Sequence, residues 1–462
     1  MTTRQEKDSL GIKEIPESAY YGAQTVRAVE NFPISGLKAH PTFVDATVLI
    51  KKAAARVNSE LGLLDKAKAQ AITQAADEVL TGKLRDQFIV DAYQAGAGTS
   101  HNMNVNEVLA NRANEILGGK RGTYDLVHPN DHVNMSQSTN DVIPTAVRVS
   151  GVLLWRKLDA ALEELQKTLE KKSKEFDKII KTGRTHLQDA TPIRLGQEFS
   201  GYAAAVQKNR KRIDQTIAGL RVLGIGGTAV GTGLNSHPQY RQKMPQVLSE
   251  LVGEKLTATD NYFEAMQSAS PSLTVSGALR VLATDLIRIA NDLRLLSSGP
   301  STGIREISLP PVQPGSSIMP AKVNPVMAEM MDMVAFQIIG LDTAMTLAAQ
   351  AGQLELNVMF PLIAWNLCHG MEILTNSTHV FTQRCVVGIQ ANESRCKELA
   401  ERNVTIVTAL NPYIGYAKAA EIAKEALQSG KRIRDLVLEK KLLPKDQVEK
   451  ILNLPAMTEP NL

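Results

Sequence analysis

The sequence predicts an all-α protein organised around five long bundle helices. Three observations predict it. Leu154, Leu158, Leu162, Leu165, Leu169 and Phe176 recur at steps of 4, 4, 3, 4 and 7 with mostly Glu and Lys between them, the stripe of a helix packed in a bundle. No period-2 run or βαβ alternation appears among the long segments. Aromatic residues make up only 4% of the chain, which disfavours an all-β fold.

Taken in order, residues 1–137 mix loops with short helical runs near 42–62, 66–81 and 102–117, and form an expected N-terminal domain, mostly helical. Ser138, Thr139, Asn140 and Asp141 then offer N-caps, with Pro144 near the first turn. A helix from about Pro144 to Lys181 follows, about 55 Å long at the usual rise. Leu195, Phe199, Tyr202, Val206, Ile213, Ile217 and Leu220 mark the second long helix, and residues 272–297, 325–352 and 359–388 the third to fifth. Together they define an expected central domain, 138–391. The last two carry apolar residues on more than one face, which a homo-oligomer sharing helices would bury. Residues 392–462, broken by Pro412, Gly415 and Pro444, read as a small C-terminal helical domain.

Composition narrows the function classes. The chain has 462 residues, 43% hydrophobic and 22% charged, with a net charge of +4. So small an excess argues against a dedicated nucleic-acid binder. No uninterrupted apolar run approaches the length of a membrane span, and no signal-type segment is present, so no membrane partner is expected. Cys368, Cys385 and Cys396 have neither disulfide-framework nor zinc spacing. A cytoplasmic protein is the expectation.

Four loops could carry chemistry. Residues 309–325, LPPVQPGSSIMPAKVNP, join two bundle helices through five prolines, and a loop so long and restrained is more than a connector. Gly315 permits convergent backbone N–H groups around Ser316 and Ser317, a nest able to stabilise an anion such as a serine alkoxide. Lys322 and Asn324 supply a charge and an amide for a carboxylate. Residues 182–192, TGRTHLQDATP, offer the hydroxyl of Thr185 and the imidazole of His186, suited to acid–base work or to a structural hydrogen bond. AGAGTSHNMN, 95–104, lets backbone approach a small ligand beside Thr99. MSQSTND, 135–141, opens the first long helix, where free N–H groups favour an anion and where Ser138 or Asn140 could equally be a plain cap.

Other motifs fail on context. LGIGGTAVGTG at 223–233 holds a loose G-x-G-x-x-A, but it follows a helix and has no acidic residue placed for a ribose. His128 and His132 are four apart, yet Pro129 opposes a helix and no further ligand accompanies them. No metal and no cofactor is expected.

The pattern of loops on long helices resembles the fumarase/aspartase superfamily of lyases, whose signature G-S-S-x-M-P-x-K-x-N-P is matched without a gap at 315–325. The resemblance extends from AYYGAQT at 19–25 to LNPYIGYAKAAEIAK at 410–424. It implies three mostly helical domains around a five-helix core, and a homotetramer pooling its cores into a twenty-helix bundle with each active site shared by three subunits. It also implies reversible elimination giving fumarate from a small dicarboxylate through an aci-carboxylate intermediate. By the same resemblance Ser316 is the base on a mobile loop and His186, partnered by Glu329, stands beside the leaving group. Thr185, Lys322 and Asn324 clamp one carboxylate, while Thr99, Ser138, Thr139, Asn140 and Ser317 bind the rest. Some members suggest a secondary dicarboxylate site, which here corresponds to His128, Asn130 and Asp131.

The leaving group divides the matches. AGAGTS at 95–100, SQSTND at 136–141, GQLELNVM at 352–359 and DQFIVD at 86–91 are similar to the ammonia-eliminating branch. HPND at 128–131, DATP at 189–192 and the C-terminal IGYAKAAEIAK are similar to the water-eliminating branch. Two substrate loops fall in the first group, so release of ammonia from L-aspartate is the first expectation and fumarate–malate hydration the alternative. Phe360 and His101 depart from both patterns. A third reading, an inactive helical scaffold, is disfavoured by the intact Gly315–Pro325 loop.

Overall fold

The computed structural model describes residues 2–460; residue 1 and residues 461–462, the outer ends of the expected first and third domains, lie outside the described residues. A hairpin of β1 (Thr3–Asp8) and β2 (Gly11–Pro16) leads into α1 (Ala23–Asn31), α2 (Pro41–Glu60), α3 (Lys66–Leu80) and α4 (Thr99–Ile116). The 37-residue α5 (Thr139–Glu175) is followed by a second hairpin, β3 (Ile180–Thr185) and β4 (Gln188–Arg194), and by α6 (Leu195–Leu220). After α7 (Tyr240–Val252) and α8 (Tyr262–Gln267) come α9 (Ser270–Leu296), α10 (Val326–Gln350) and α11 (Phe360–Arg384). Short helices finish the chain: α12 (Glu393–Arg402), α13 (Asn411–Ile414), α14 (Tyr416–Ser429), α15 (Ile433–Glu439) and α16 (Lys445–Ile451). The fold is mainly helical with five long helices, as the periodicity predicts.

The chain divides into two compact units. One holds Met1–Ala160, Lys211–Ala283 and Phe336–Thr375; the other holds Ala161–Arg210, Thr284–Ala335 and Asn376–Leu462.

In the first unit, α2, α3 and α4 bury Val44, Val48, Ile72, Val105, Val108 and Leu109 in one apolar core. Asp65 caps α3 by accepting from the N–H groups of Ala67 and Lys68, and the His40 ring caps α2 by accepting from Thr42. The β1–β2 hairpin is absent from the sequence expectation because it has no apolar alternation to read. Each strand buries one residue, Ile15 on β2 and, on β1, a carboxylate, Glu6, held by Arg4 at 2.6 Å and by the Tyr124 hydroxyl at 2.8 Å.

In the second unit, Phe176, Phe199 and Tyr202 stack edge to face, with centroids 5.2 and 5.6 Å apart. A separate apolar core gathers Leu410, Ile422, Leu436, Val437 and Val448. The first long helix ends at Glu175 instead of continuing to Lys181, and the segment read as a loop, 182–192, is part of a hairpin. The reason is electrostatic. The buried ammonium of Lys181 reaches Glu198 at 3.1 Å and Glu306 at 3.2 Å, which places Lys181 on a strand and not on the helix.

Among the described residues α10 is the one helix long and apolar enough by composition to span a membrane. Two of its three acidic residues are tied to α9: Asp332 pairs with Arg294 at 3.0 Å, and Asp342 accepts from Ser276 at 2.7 Å and pairs with Arg280 at 2.8 Å. Along α10, Met333, Phe336 and Leu347 each stay more than half exposed.

Leu109 is fully buried, so Leu109→Ala should lower the unfolding free energy by about 3 kcal/mol. Leu10→Ala, at a side chain 79% exposed, should change it by less than about 0.5 kcal/mol. Urea unfolding followed by circular dichroism compares the two.

Candidate active site

The first unit contains a polar cleft of about 430 Å³ that gathers Thr99, Ser138 and Thr139 with Asn102, Asn134 and Thr228. Thr99 opens α4 after a turn in which Ala97 and Gly98 both have positive φ. A Cβ on Gly98 would also lie 3.1 Å from the Ile143 side chain, so glycine is favoured there by its positive φ and by the tight approach. The Ala97 N–H donates to the Val358 carbonyl at 2.8 Å, so the 352–359 segment braces the Thr99 turn.

Ser138 is the cap of α5, and the cap is reciprocal: its Oγ accepts from the Asn140 N–H, while Asp141 accepts from the Ser138 N–H at 2.9 Å. The second Asp141 oxygen accepts from Gly226 and Thr228, at 2.9 and 3.0 Å. Asn140 turns its amide to the Ala229 carbonyl at 2.8 Å. The glycine-rich segment 223–233, set aside as a nucleotide motif, therefore serves as one wall of the cleft. Burial pushes the Asp141 carboxyl up to about 6, against the pull of its three backbone donors.

The residues of the secondary dicarboxylate expectation lie close to this cleft, and Asn130 lines it. His128 works structurally, since its Nδ1 accepts from the N–H groups of Asn130 and Asp131 and so caps the short turn Pro129–Val133. Pro129, expected to oppose a helical turn, occupies its first position, where a missing N–H removes no internal bond. His101 and Phe360 are packing residues. His101 is fully buried, stacks on Phe43 at 4.4 Å and lies 3.0 Å from the Thr47 hydroxyl, and burial holds it neutral, pushed down to about 3. Phe360 is buried at the start of α11.

The second unit carries the other candidates. Thr185 ends β3, and His186 and Leu187 form the two-residue tip of the hairpin, both at positive φ, 57° and 60°. Two-residue hairpins want such angles but normally place Asn or Gly there, so the exposed His186 is held in a strained conformation. The hairpin's root is a buried charge network, in which Glu306 accepts two bonds from Arg184, at 2.9 and 3.0 Å, beside Lys181. Glu306 lies ten residues before Ser316, so one carboxylate anchors both the hairpin and the approach to the serine loop.

Within that loop Ser316 Oγ accepts two backbone N–H groups, from Ile318 at 3.2 Å and Met319 at 2.9 Å. The Gly315 N–H donates to the Lys322 carbonyl at 2.7 Å, and the Asn324 amide donates to the Gly315 carbonyl at 2.8 Å, closing the loop into a ring. Gly315 is needed for this close approach, since a Cβ would stand 2.4 Å from the Lys322 oxygen; the left-handed residue is Ala321, at φ 64°. Ser317 and Lys322 are exposed, and Asn324 is partly occupied as a strut. Glu329 sits in the first turn of α10, and among the described residues no ion pair or hydrogen bond joins it to His186.

Lys51, Asn102, Asn134 and Thr228 were missed by sequence reading. For Asn102 a signal was present in NMNVNEVLANRAN, residues 102–114, where five asparagines stand in a helix that also carries the buried Val105, Val108 and Leu109.

A family profile described as Lyase matches residues 11–340, and one described as Fumarase C C-terminus matches 406–459. The chain is 50% identical over 459 residues to an aspartate ammonia-lyase of Bacillus subtilis, covering 99% of this chain and 97% of that protein. It is also 48% identical over 439 residues to a class II fumarate hydratase of Ralstonia nicotianae, covering 95% of each. The crystal structure of a class II fumarase from Schistosoma mansoni is similar with a TM-score of 0.97 at 38% identity, covering 100% of both chains.

Because the carboxyl of Asp141 ionises less readily in the native protein than in the unfolded chain, the native state binds more protons between about pH 4 and pH 6. Its contribution to stability falls as pH rises through that window, by up to about 3 kcal/mol. Asp141→Asn should flatten that stretch of the stability curve, measured by urea unfolding at stepped pH; an unaltered slope would refute the burial argument.

Proposed function

Because this chain belongs to the fumarase/aspartase family of lyases, we propose that it is an aspartate ammonia-lyase, releasing ammonia reversibly from L-aspartate to give fumarate. The observation that carries the elimination chemistry is the pair of backbone N–H groups on Ser316 Oγ. A serine hydroxyl is far too weak a base for a carbon acid; two fixed donors favour the alkoxide. Ser316 takes the proton from the carbon next to one carboxylate, and the electron pair moves into an aci-carboxylate bearing two negative charges. The pair then returns to form the carbon–carbon double bond as the carbon–nitrogen bond breaks, and ammonia departs beside His186. Lys322 supplies the cation, and Asn324 and Thr185 the neutral donors, that the doubly charged group needs. Thr99, Ser138, Thr139 and Asn140 hold the remaining carboxylate and the amine.

Ammonia is favoured over water by the two substrate loops, AGAGTS and SQSTND, and by the 50% identical relative named aspartate ammonia-lyase. Hydration of fumarate to L-malate is the second reading, favoured by HPND and DATP and by the 48% identical fumarate hydratase.

The reading includes a homotetramer in which each site takes loops from three subunits. Its support is the uncovered apolar surface: Met333, Phe336 and Leu347 along α10, and Ile318, 84% exposed, in the serine loop. On this plan the serine loop and the Ser138 cleft of one chain need not serve the same site.

Fumarate has a strong ultraviolet absorbance, so the purified protein is offered L-aspartate and, separately, L-malate. Fumarate and ammonia from aspartate, with little from malate, are expected; turnover of malate alone would make the protein a hydratase. Ser316→Ala should lower kcat by at least about 1,000-fold with the helical circular-dichroism spectrum unchanged, and substantial residual turnover would remove the serine from its role.

A further inference from the structure

Lys51 lies on α2, apart in sequence from the four chemistry-bearing loops, and its side chain is fully buried. Its neighbour Lys52 has an ordinary carboxylate partner in Asp77. Lys51 has none: among the described residues its Nζ forms no ion pair and donates only to two neutral amides, Asn134 Oδ1 and Gln137 Oε1, each at 2.9 Å. A buried cation with only neutral acceptors is a costly arrangement, and a fold that keeps one has a compensating use for the charge.

The position of the two acceptors indicates the use. Asn134 and Gln137 belong to the segment that runs into Ser138 and Thr139, and all four line the cleft. Asn134 Oδ1 also accepts from Asn102 at 3.2 Å and Asn106 at 3.1 Å, and the Asn102 amide reaches Thr139 Oγ1 at 3.3 Å. Lys51 therefore sits behind a net of amides whose other side is the cleft. The N-terminus of α5 presents its positive dipole end at the same cleft. The titratable groups that sense the ammonium are Asp141 from α5 and His101 from α4. Asp141 is taken up by its three backbone N–H donors, and His101 is neutral, so neither cancels the charge by contact.

We propose that Lys51 is a positioning residue for a dicarboxylate ligand: it fixes the 134–139 segment and supplies, from behind the amide net, positive charge that the bound carboxylate neutralises. Burial, which lowers the ammonium to about 7, makes that charge responsive to an arriving anion. This inference rests on the dicarboxylate reading of the cleft but not on whether ammonia or water leaves.

The test uses the full-length protein and two variants, Lys51→Met and Lys51→Gln. The glutamine keeps a donor to the same amides without the charge. Steady-state kinetics are run with whichever of L-aspartate or L-malate the unaltered protein converts, and binding of succinate, which cannot react, is measured by calorimetry. Both variants should raise KM and the succinate Kd by at least about ten-fold while kcat stays within about three-fold, because the charge acts on ligand binding and not on the base. A merely structural role would lower thermal stability and the active fraction without that split. If Lys51→Met does not fold, Lys51→Gln decides alone. KM and Kd within about two-fold of the unaltered protein, or a fall confined to kcat, would overturn the proposal. Failure of the unaltered protein to convert either substrate or to bind succinate would instead overturn the dicarboxylate reading, and this inference with it.

Discussion

Asp141 accepts backbone N–H groups from Ser138, Gly226 and Thr228, and so ties the start of the longest helix to a glycine-rich turn more than eighty residues away in sequence. Each of these N–H groups would be left unpaired in a poorly solvated place if the carboxylate were lost, which is the costly way to break a buried hydrogen bond. The cleft depends on this bond set, because Ser138 and Thr139 stand on one side of it and Thr228 on the other. A side-chain amide on Asn140 repeats the connection at the Ala229 carbonyl.

The second unit uses the same device with the charge paired. Glu306 is wholly buried and takes both prongs of the Arg184 guanidinium, with Lys181 and Glu198 completing the network. Such a network is weak evidence for stability, since hydrophobic residues of like volume often serve better, but it holds the chain in one register. Here it fixes the hairpin whose tip is His186 and the segment that leads to Ser316. The strained tip and the closed ring from Gly315 to Asn324 are then tolerable local costs on a rigid base.

Several residues carry a structural and a chemical assignment at once. Ser138 caps a helix, His128 caps a turn, and Asn324 braces a loop. A cap is a polar side chain aimed at free N–H groups, and free N–H groups also attract anionic ligands, so the two uses converge on the same positions. His101 and Phe360 show the reverse, since both fill the interior.

The sequence by itself determined the helical class, the five long helices and the serine loop. A helix writes its buried face at a period of 3.6, and the loop's prolines and glycine stand together in one short stretch. It did not disclose the two hairpins, because β1–β2 is held by Arg4 and Glu6 without apolar alternation, and β3–β4 by charges drawn from Glu198 and Glu306. Tertiary structure alone decided that the helix stops at Glu175, that Asp141 grips a turn read as an idle glycine motif, and that Lys51 has no carboxylate partner. These depend on which distant polar groups meet once water is excluded. Local pattern carries the burial of apolar faces; the pairing of buried charges exists only when the chain is folded.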